Sequence, residues 1–383
     1  MSTEQLRIAL IYPESASDVR TWSGTPFFAK RAFERHVGEV VDLSPYPRRG
    51  LRFRAITQAA RRIGWNAPFD HFPPYAKMLG RYFSRKLREG SYDLVFAPGG
   101  CEAVAWLETD IPIVLYSDAT WELVVDYYRP YSNLLPGLFR LGEEVERRAL
   151  ERSSILLYSS EWAARSAIDH YGIDPARVSV PFIGANLIDP PTREAVLPRS
   201  TGDTIRLLMV GVNWENKGGP VALRVLEGLL QRGYDAELTV AGCSVPDEAR
   251  HPRLTVVPFL NKQVPEERAR FEALWTDADF FILPSRFEAA GLVFCEASAY
   301  GLPIVAARTG GIPSIVAEGK NGYTVPHNEE PDGYIDHIIR LWTRPDEYAR
   351  LAESARDEFE TRLNWDTWGR AAATQISNLL HKR

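Results

Sequence analysis

Short, nearly continuous apolar runs alternate along the chain with segments of helical period. Residues 6–12, 92–97, 111–116, 155–159 and 178–182 form one series, and residues 205–210, 236–242, 254–258, 280–283 and 304–307 form a second. Runs of this kind, apolar at successive positions, belong to strands covered on both faces, as in parallel sheets. Between them lie helical patterns, such as residues 26–35 behind Pro26 and the set Ala222, Val225, Leu226, Leu229 and Leu230. Residues 332 to the end are helical throughout, in three pieces at 334–342, 347–361 and 365–380. Strand and helix in alternation predict an α/β protein, and the pattern runs twice. The two series are separated by residues 187–203, proline-rich, polar and without apolar period, which read as an interdomain linker. The expected organisation is therefore a first domain at 1–186, the linker, and a second domain at 204–365.

Composition narrows the class without changing that picture. A chain of 383 residues with 45% hydrophobic and 25% charged residues is long enough for two or three soluble domains. Its formal net charge of -5 implies no bulk affinity for nucleic acid. Cys101, Cys243 and Cys295 are odd in number and far apart, so they read as buried thiols rather than as a disulfide framework or zinc site. The amino-terminal segment has a strand pattern, not that of a signal peptide, and no run of about 18 apolar residues occurs. A cytoplasmic protein, at most peripheral to a membrane, is expected. One stretch departs from the acidic average: residues 46–92 interleave arginines and lysines, from Arg48 to Arg88, with aromatic and aliphatic side chains. Such a surface suits an anionic membrane, a phosphorylated acceptor, or simply solvated helix faces packed by their apolar sides.

The chemistry concentrates at residues 280–311. The strand at 280–283 ends at Pro284, a polar loop follows, and Gly291 opens a helix whose first backbone N–H groups, at Gly291, Leu292 and Val293, have no helical partner. A helix start of this kind binds anions, and a glycine lets a phosphate come close. Glu288 in the loop and Glu296 in the helix would repel that phosphate, so they are expected to accept hydrogen bonds from hydroxyls flanking it. A diphosphate with a sugar at each end is a nucleotide sugar.

Glu288-Ala-Ala-Gly-Leu-Val-Phe-Cys-Glu296, flanked by Pro284-Ser285, Gly301-Leu-Pro303 and Thr309-Gly-Gly311, resembles the E-x7-E signature of the retaining family-4 glycosyltransferases of GT-B fold. The resemblance implies two Rossmann-like domains facing a cleft, with a final helix at about 366–383 crossing back to the first domain. The first would take the acceptor and the second the nucleotide sugar. It further implies that Glu296 binds ribose hydroxyls, Glu288 a hydroxyl of the transferred sugar, and the Gly291, Leu292 and Val293 backbone the phosphates. Lys217, after the loop that begins at Gly211 and includes Asn213, would neutralise the leaving diphosphate. The family's arginine position in that loop is held here by Val212. Gly24, in the loop Trp22-Ser23-Gly24-Thr25, corresponds to the family's glycine-rich loop facing the donor phosphates and the acceptor, and Asp118 matches the aspartate of a His-Asp pair whose histidine is replaced by Ser117.

The reaction so implied is transfer with retention, without a metal or other cofactor, from a nucleotide-diphosphate sugar to an acceptor hydroxyl on a saccharide, a lipid-linked group or a small molecule. Asp277-Ala-Asp279 is a D-x-D pair, but it precedes a buried strand and does not suit a metal site. A dinucleotide oxidoreductase would share the strand pattern and lacks its G-x-G-x-x-G here. The nearer alternative is a catalytically silent nucleotide-sugar-binding protein of the same fold, because Val212 and Ser117 remove two groups that active relatives use.

Overall fold

The structure, a computed structural model, describes residues 5–47, 51–68, 71–327 and 330–381. The chain folds as two compact units, Met1–Phe182 with Trp365–Arg383, and Ile183–Asn364.

The first unit is built on a parallel sheet of six strands: β1 (Leu6–Leu10), β2 (Gly38–Asp42), β3 (Leu94–Pro98), β4 (Ile113–Ser117), β5 (Ile155–Tyr158) and β6 (Val178–Ser179), in the order β2-β1-β3-β4-β5-β6. The inner strands β3 and β5 are buried along their whole length, as their unbroken apolar sequence requires. Edge strand β2, Gly-Glu-Val-Val-Asp, is half exposed and bears two carboxylates, so it gives no apolar run to read. The last helix, Trp365–Leu380, packs on Thr25–His36, with Trp368 5.7 Å from Phe33 between ring centroids and Asp366 Oδ1 2.7 Å from His36 Nε2.

One buried carboxyl in this unit has a consequence for pH. Glu146 is 2% exposed, and burial, reinforced by the charge of Glu143, raises its pKa to about 7 against a lowering hydrogen bond from Cys101. His71 Nε2 lies 3.9 Å from its Oε2. Because the folded value exceeds the unfolded one, this group's contribution is fully present below about pH 4.5 and is lost as pH rises through 7. Glu146→Gln should therefore raise the melting temperature at pH 8 relative to the parent, by up to about 3 kcal/mol of stability, with little gain at pH 5. Melting curves of both proteins across that range check it, and parallel curves would show Glu146 to be charged in the fold.

The second unit repeats the plan with β7 (Ile205–Val210), β8 (Ala236–Ala241), β9 (Leu254–Val257), β10 (Phe280–Leu283), β11 (Ile304–Arg308) and β12 (Gly322–Pro326), ordered β12-β11-β10-β7-β8-β9 and all parallel. From β7 the chain proceeds outward through β8 and β9, then returns to place β10 on the other side. The topological switch point therefore lies between β7 and β10, and in the first unit between β1 and β3. Connections diverge there to opposite faces, leaving a crevice at the carboxyl ends of the strands. Residues 187–203 belong to this second unit: the Arg199 guanidinium donates to the carbonyls of Trp275, Ala278 and Tyr300 at 2.6–2.9 Å. Buried Arg356 donates to Pro191 and Ala299, the latter the final residue of the helix Leu292–Ala299. Among the described residues, no helix is long and apolar enough to cross a membrane.

Candidate active site

The residues singled out in the second unit meet at its switch point. After β7 the chain enters a tight loop in which Asn213 Oδ1 accepts the Asn216 N–H at 2.8 Å and the Asn213 carbonyl accepts that of Lys217 at 3.0 Å. Gly211 lies under the Lys217 stem; a Cβ there would stand 2.7 Å from Lys217 Cγ. Gly218 then takes φ +74°, and a Cβ on it would meet the Pro284 carbonyl oxygen at 1.9 Å. The turn after β7 is thus pressed against the exit of β10, which only a residue without a side chain allows. Across that contact the Lys217 ammonium pairs with the Glu288 carboxylate, both side chains largely buried. The Glu288 carbonyl accepts the Gly311 N–H at 3.0 Å, tying in the glycine-rich exit of β11.

Beside this pair begins the helix Leu292–Ala299, with Gly291 at its N-cap in the left-handed region, φ +86°. The N–H groups of Leu292 and Val293 are among the donors that any helix leaves without internal partners, and the dipole adds positive potential at the same end. Glu296, one turn further, is 2% exposed. Its Oε1 accepts from Lys262 Nζ at 2.6 Å, and the Lys262 ammonium sits 4.3 Å from the centroid of the Phe271 ring. Lys262 escaped the reading of the sequence. It lies in a loop without period, and its one signal is position, since it follows β9 at the carboxyl edge of the same sheet.

Each glutamate of the E-x7-E spacing therefore pairs with a lysine. Together the site presents two carboxylates for hydroxyls, two ammonium groups, and a helix start suited to an anion.

Gly24 and Asp118 lie in the first unit, near its own switch point. Trp22, Ser23 and Gly24 occupy the left-handed region in succession, at φ 42°, 55° and 89°, immediately before the helix Thr25–His36. For two residues with side chains that conformation costs free energy, and strain of this kind gathers at functional loops. The Trp22 indole N–H donates to Asp118 Oδ2 at 3.1 Å, and its ring lies against Gly99 at the exit of β3. Trp22 is thus the residue that brings the Gly24 loop and Asp118 together, a link without any motif to mark it.

All three cysteines are buried. Asp279 of the D-x-D pair is used structurally: its Oδ2 accepts the Arg206 N–H at 2.8 Å, at the amino-terminal edge of the sheet and so away from the strand exits. The described residues contain no cluster of three or more His, Cys, Asp or Glu side chains placed to hold a metal ion.

Comparison with known proteins identifies the family and the fold. A family model described as Glycosyltransferase Family 4 matches residues 26–184, and one described as Glycosyl transferases group 1 matches residues 204–344. The chain is 29% identical over 312 residues to a D-inositol 3-phosphate glycosyltransferase of Corynebacterium glutamicum, covering 76% of this chain and 72% of that protein. To the enzyme of the same description from Corynebacterium efficiens it is 27% identical, over 91% of this chain and 84% of the relative. Among solved structures it resembles sucrose-phosphate synthase from Thermosynechococcus elongatus, with a TM-score of 0.67 at 18% identity over 99% of this chain and 100% of the other. It also resembles Anabaena HepE in complex with UDP and glucose, with a TM-score of 0.62 at 16% identity over 96% and 99% of the two chains. At such identities the structures establish the fold. The family models, which between them span both units, establish the lineage: the chain belongs to the family-4 glycosyltransferases, with the GT-B fold.

Proposed function

We propose that this glycosyltransferase takes a nucleoside diphosphate sugar as donor and passes the sugar, with retention of configuration and without a metal ion, to an acceptor hydroxyl. The observation that carries the reading is the convergence of Lys217, Glu288 and the helix start at Gly291 on the switch point between β7 and β10. Breaking the glycosidic bond builds negative charge on the departing diphosphate. A fixed ammonium and preorganised N–H donors lower the energy of that state, which is the work a divalent ion does in other transferases. Glu288 accepts from a hydroxyl of the transferred sugar, Glu296 from the ribose, and the N–H groups of Gly291, Leu292 and Val293 hold the phosphates. Gly211 and Asn213 shape the loop that delivers Lys217 to the donor.

In the first unit we assign Asp118 to the acceptor side and the Gly24 loop to the donor phosphates and the acceptor. The acceptor attacks from the face the diphosphate leaves, and a diphosphate oxygen takes its proton, so no dedicated protein base is needed. Its class is a saccharide, a lipid-linked group or a small molecule, inositol phosphates included, and the compartment is the cytoplasm.

The test is a thermal-shift panel of nucleoside diphosphates and their sugars, followed by donor turnover with and without acceptors, read by the configuration of the product. Stabilisation by one nucleotide sugar and retained configuration support the reading. Binding with no turnover under any acceptor returns the chain to a silent nucleotide-sugar-binding role. Glu296→Ala should weaken binding of the preferred nucleoside diphosphate by roughly 1–3 kcal/mol, the scale of hydrogen bonds to a charged group. Titration calorimetry checks this, and unchanged affinity in a folded variant removes Glu296 from the site.

A further inference from the structure

We propose that Lys262 is a ribose-binding residue, and that it grips the nucleotide's vicinal diol jointly with Glu296. This rests on the reading of the second unit as the nucleotide site. The starting point is an arithmetic of acceptors. A carboxylate offers about four lone-pair sites on its two oxygens, and Glu296 Oε1 already gives one of them to Lys262 Nζ at 2.6 Å. Oε2 has no hydrogen-bond partner among the described residues. One hydroxyl can therefore donate to Oε2, and the second, at the Oε1 edge, comes within reach of the ammonium held there.

Nothing about that second contact is unfavourable. An ammonium has three donors and Glu296 uses one of them, while a hydroxyl oxygen accepts as readily as its hydrogen donates. The alternative, in which Lys262 leaves and Glu296 takes the diol alone, strips its counter-ion from a carboxylate whose side chain is 3% exposed. Removing one partner of a buried pair is costly. The Phe271 ring beneath the ammonium, 4.3 Å from centroid to Nζ, holds the cation at the carboxylate through its quadrupole. Lys262 and Glu296 form a donor and acceptor pair matched to a diol, in which each residue reads one hydroxyl.

The pairing gives an experiment with two arms. The ribonucleoside diphosphate that binds the parent most tightly, chosen from ADP, GDP, UDP and CDP, is compared by calorimetry with its 2′-deoxy and 3′-deoxy forms and with inorganic pyrophosphate. In the parent, loss of either hydroxyl should weaken binding roughly tenfold. Lys262→Met should weaken the ribonucleotide by a similar factor and abolish the penalty for one missing hydroxyl while keeping the other; pyrophosphate affinity should stay within about twofold. Should the Met variant fail to fold, Lys262→Gln serves for the same ratios.

Both deoxy penalties surviving unchanged would place Lys262 away from the ribose, and an equal loss for pyrophosphate would make it a phosphate ligand. Tighter ribonucleotide binding would make it a competitor for Glu296. Each of these overturns the proposal and leaves the nucleotide site standing. Absence of binding by any of the four diphosphates to the parent overturns the nucleotide reading itself, and the role of Lys262 with it.

Discussion

Lys217→Ala should lower turnover by roughly 10²–10³ while weakening donor binding much less, because a preorganised group aimed at developing charge is worth about 2.7–4 kcal/mol in the transition state. The structure makes the expectation sharper. The loop after β7, Gly211 to Asn216, carries no basic residue before Lys217, and Val212 within it is an apolar side chain 72% exposed. Lys217 pairs with Glu288, so on the proposed reading donor binding exchanges a lysine–glutamate pair for lysine on phosphate and glutamate on a sugar hydroxyl. The substitution also removes the ammonium that pairs with Glu288, which lowers stability. Melting curves separate that effect from catalysis, and single-turnover rates at saturating donor isolate the chemical step. Near-normal turnover with impaired binding would assign the leaving group to another cation. Arg286, whose backbone N–H donates to the Asn216 carbonyl at 2.9 Å and so ties it to the same loop, is then the next cation to substitute.

How much of this could be read beforehand follows from where each signal is encoded. Strands buried on both faces announce themselves, because every residue from Phe280 to Leu283 or Ile304 to Ala307 must be apolar to be covered above and below. Edge strands β2 and β12 carry no such requirement; β12 ends in a proline and β2 in an aspartate, and both were passed over. The glutamates and Gly291 stood out by their spacing along one loop and helix, where the structure places Gly291 at the helix start and each glutamate beside a lysine. Lys262 and Trp22 did not. Each acts through a partner 34 or 96 positions away, and only the folded sheet brings Lys262 to Glu296 or Trp22 to Asp118. The pairing of both glutamates with lysines was hidden for the same reason, since spacing gives the residues but not their partners.

The largest effect on stability is expected at a residue with no side chain. Gly218→Ala requires a Cβ at φ +74°, which costs an L-residue about 1 kcal/mol, and places that Cβ 1.9 Å from the Pro284 carbonyl oxygen and 2.5 Å from its carbon. Neither obstacle is a flexible side-chain end. Both are backbone, so relief comes only by parting the turn after β7 from the exit of β10, an overpacking penalty of about 1–3 kcal/mol on top of the first. The total, about 2–4 kcal/mol, is accompanied by a separation of Lys217 from Glu288, and turnover should fall toward the level of Lys217→Ala although the chemistry of neither side chain has changed. Gly233→Ala is the control. It has φ +87° and nothing within 4 Å of its Cβ, so it should cost only about 1 kcal/mol and leave turnover intact. Denaturant unfolding of the two variants measures the difference. Equal costs would mean that the turn yields freely at Pro284, and that the switch point is not what holds Lys217 and Glu288 together.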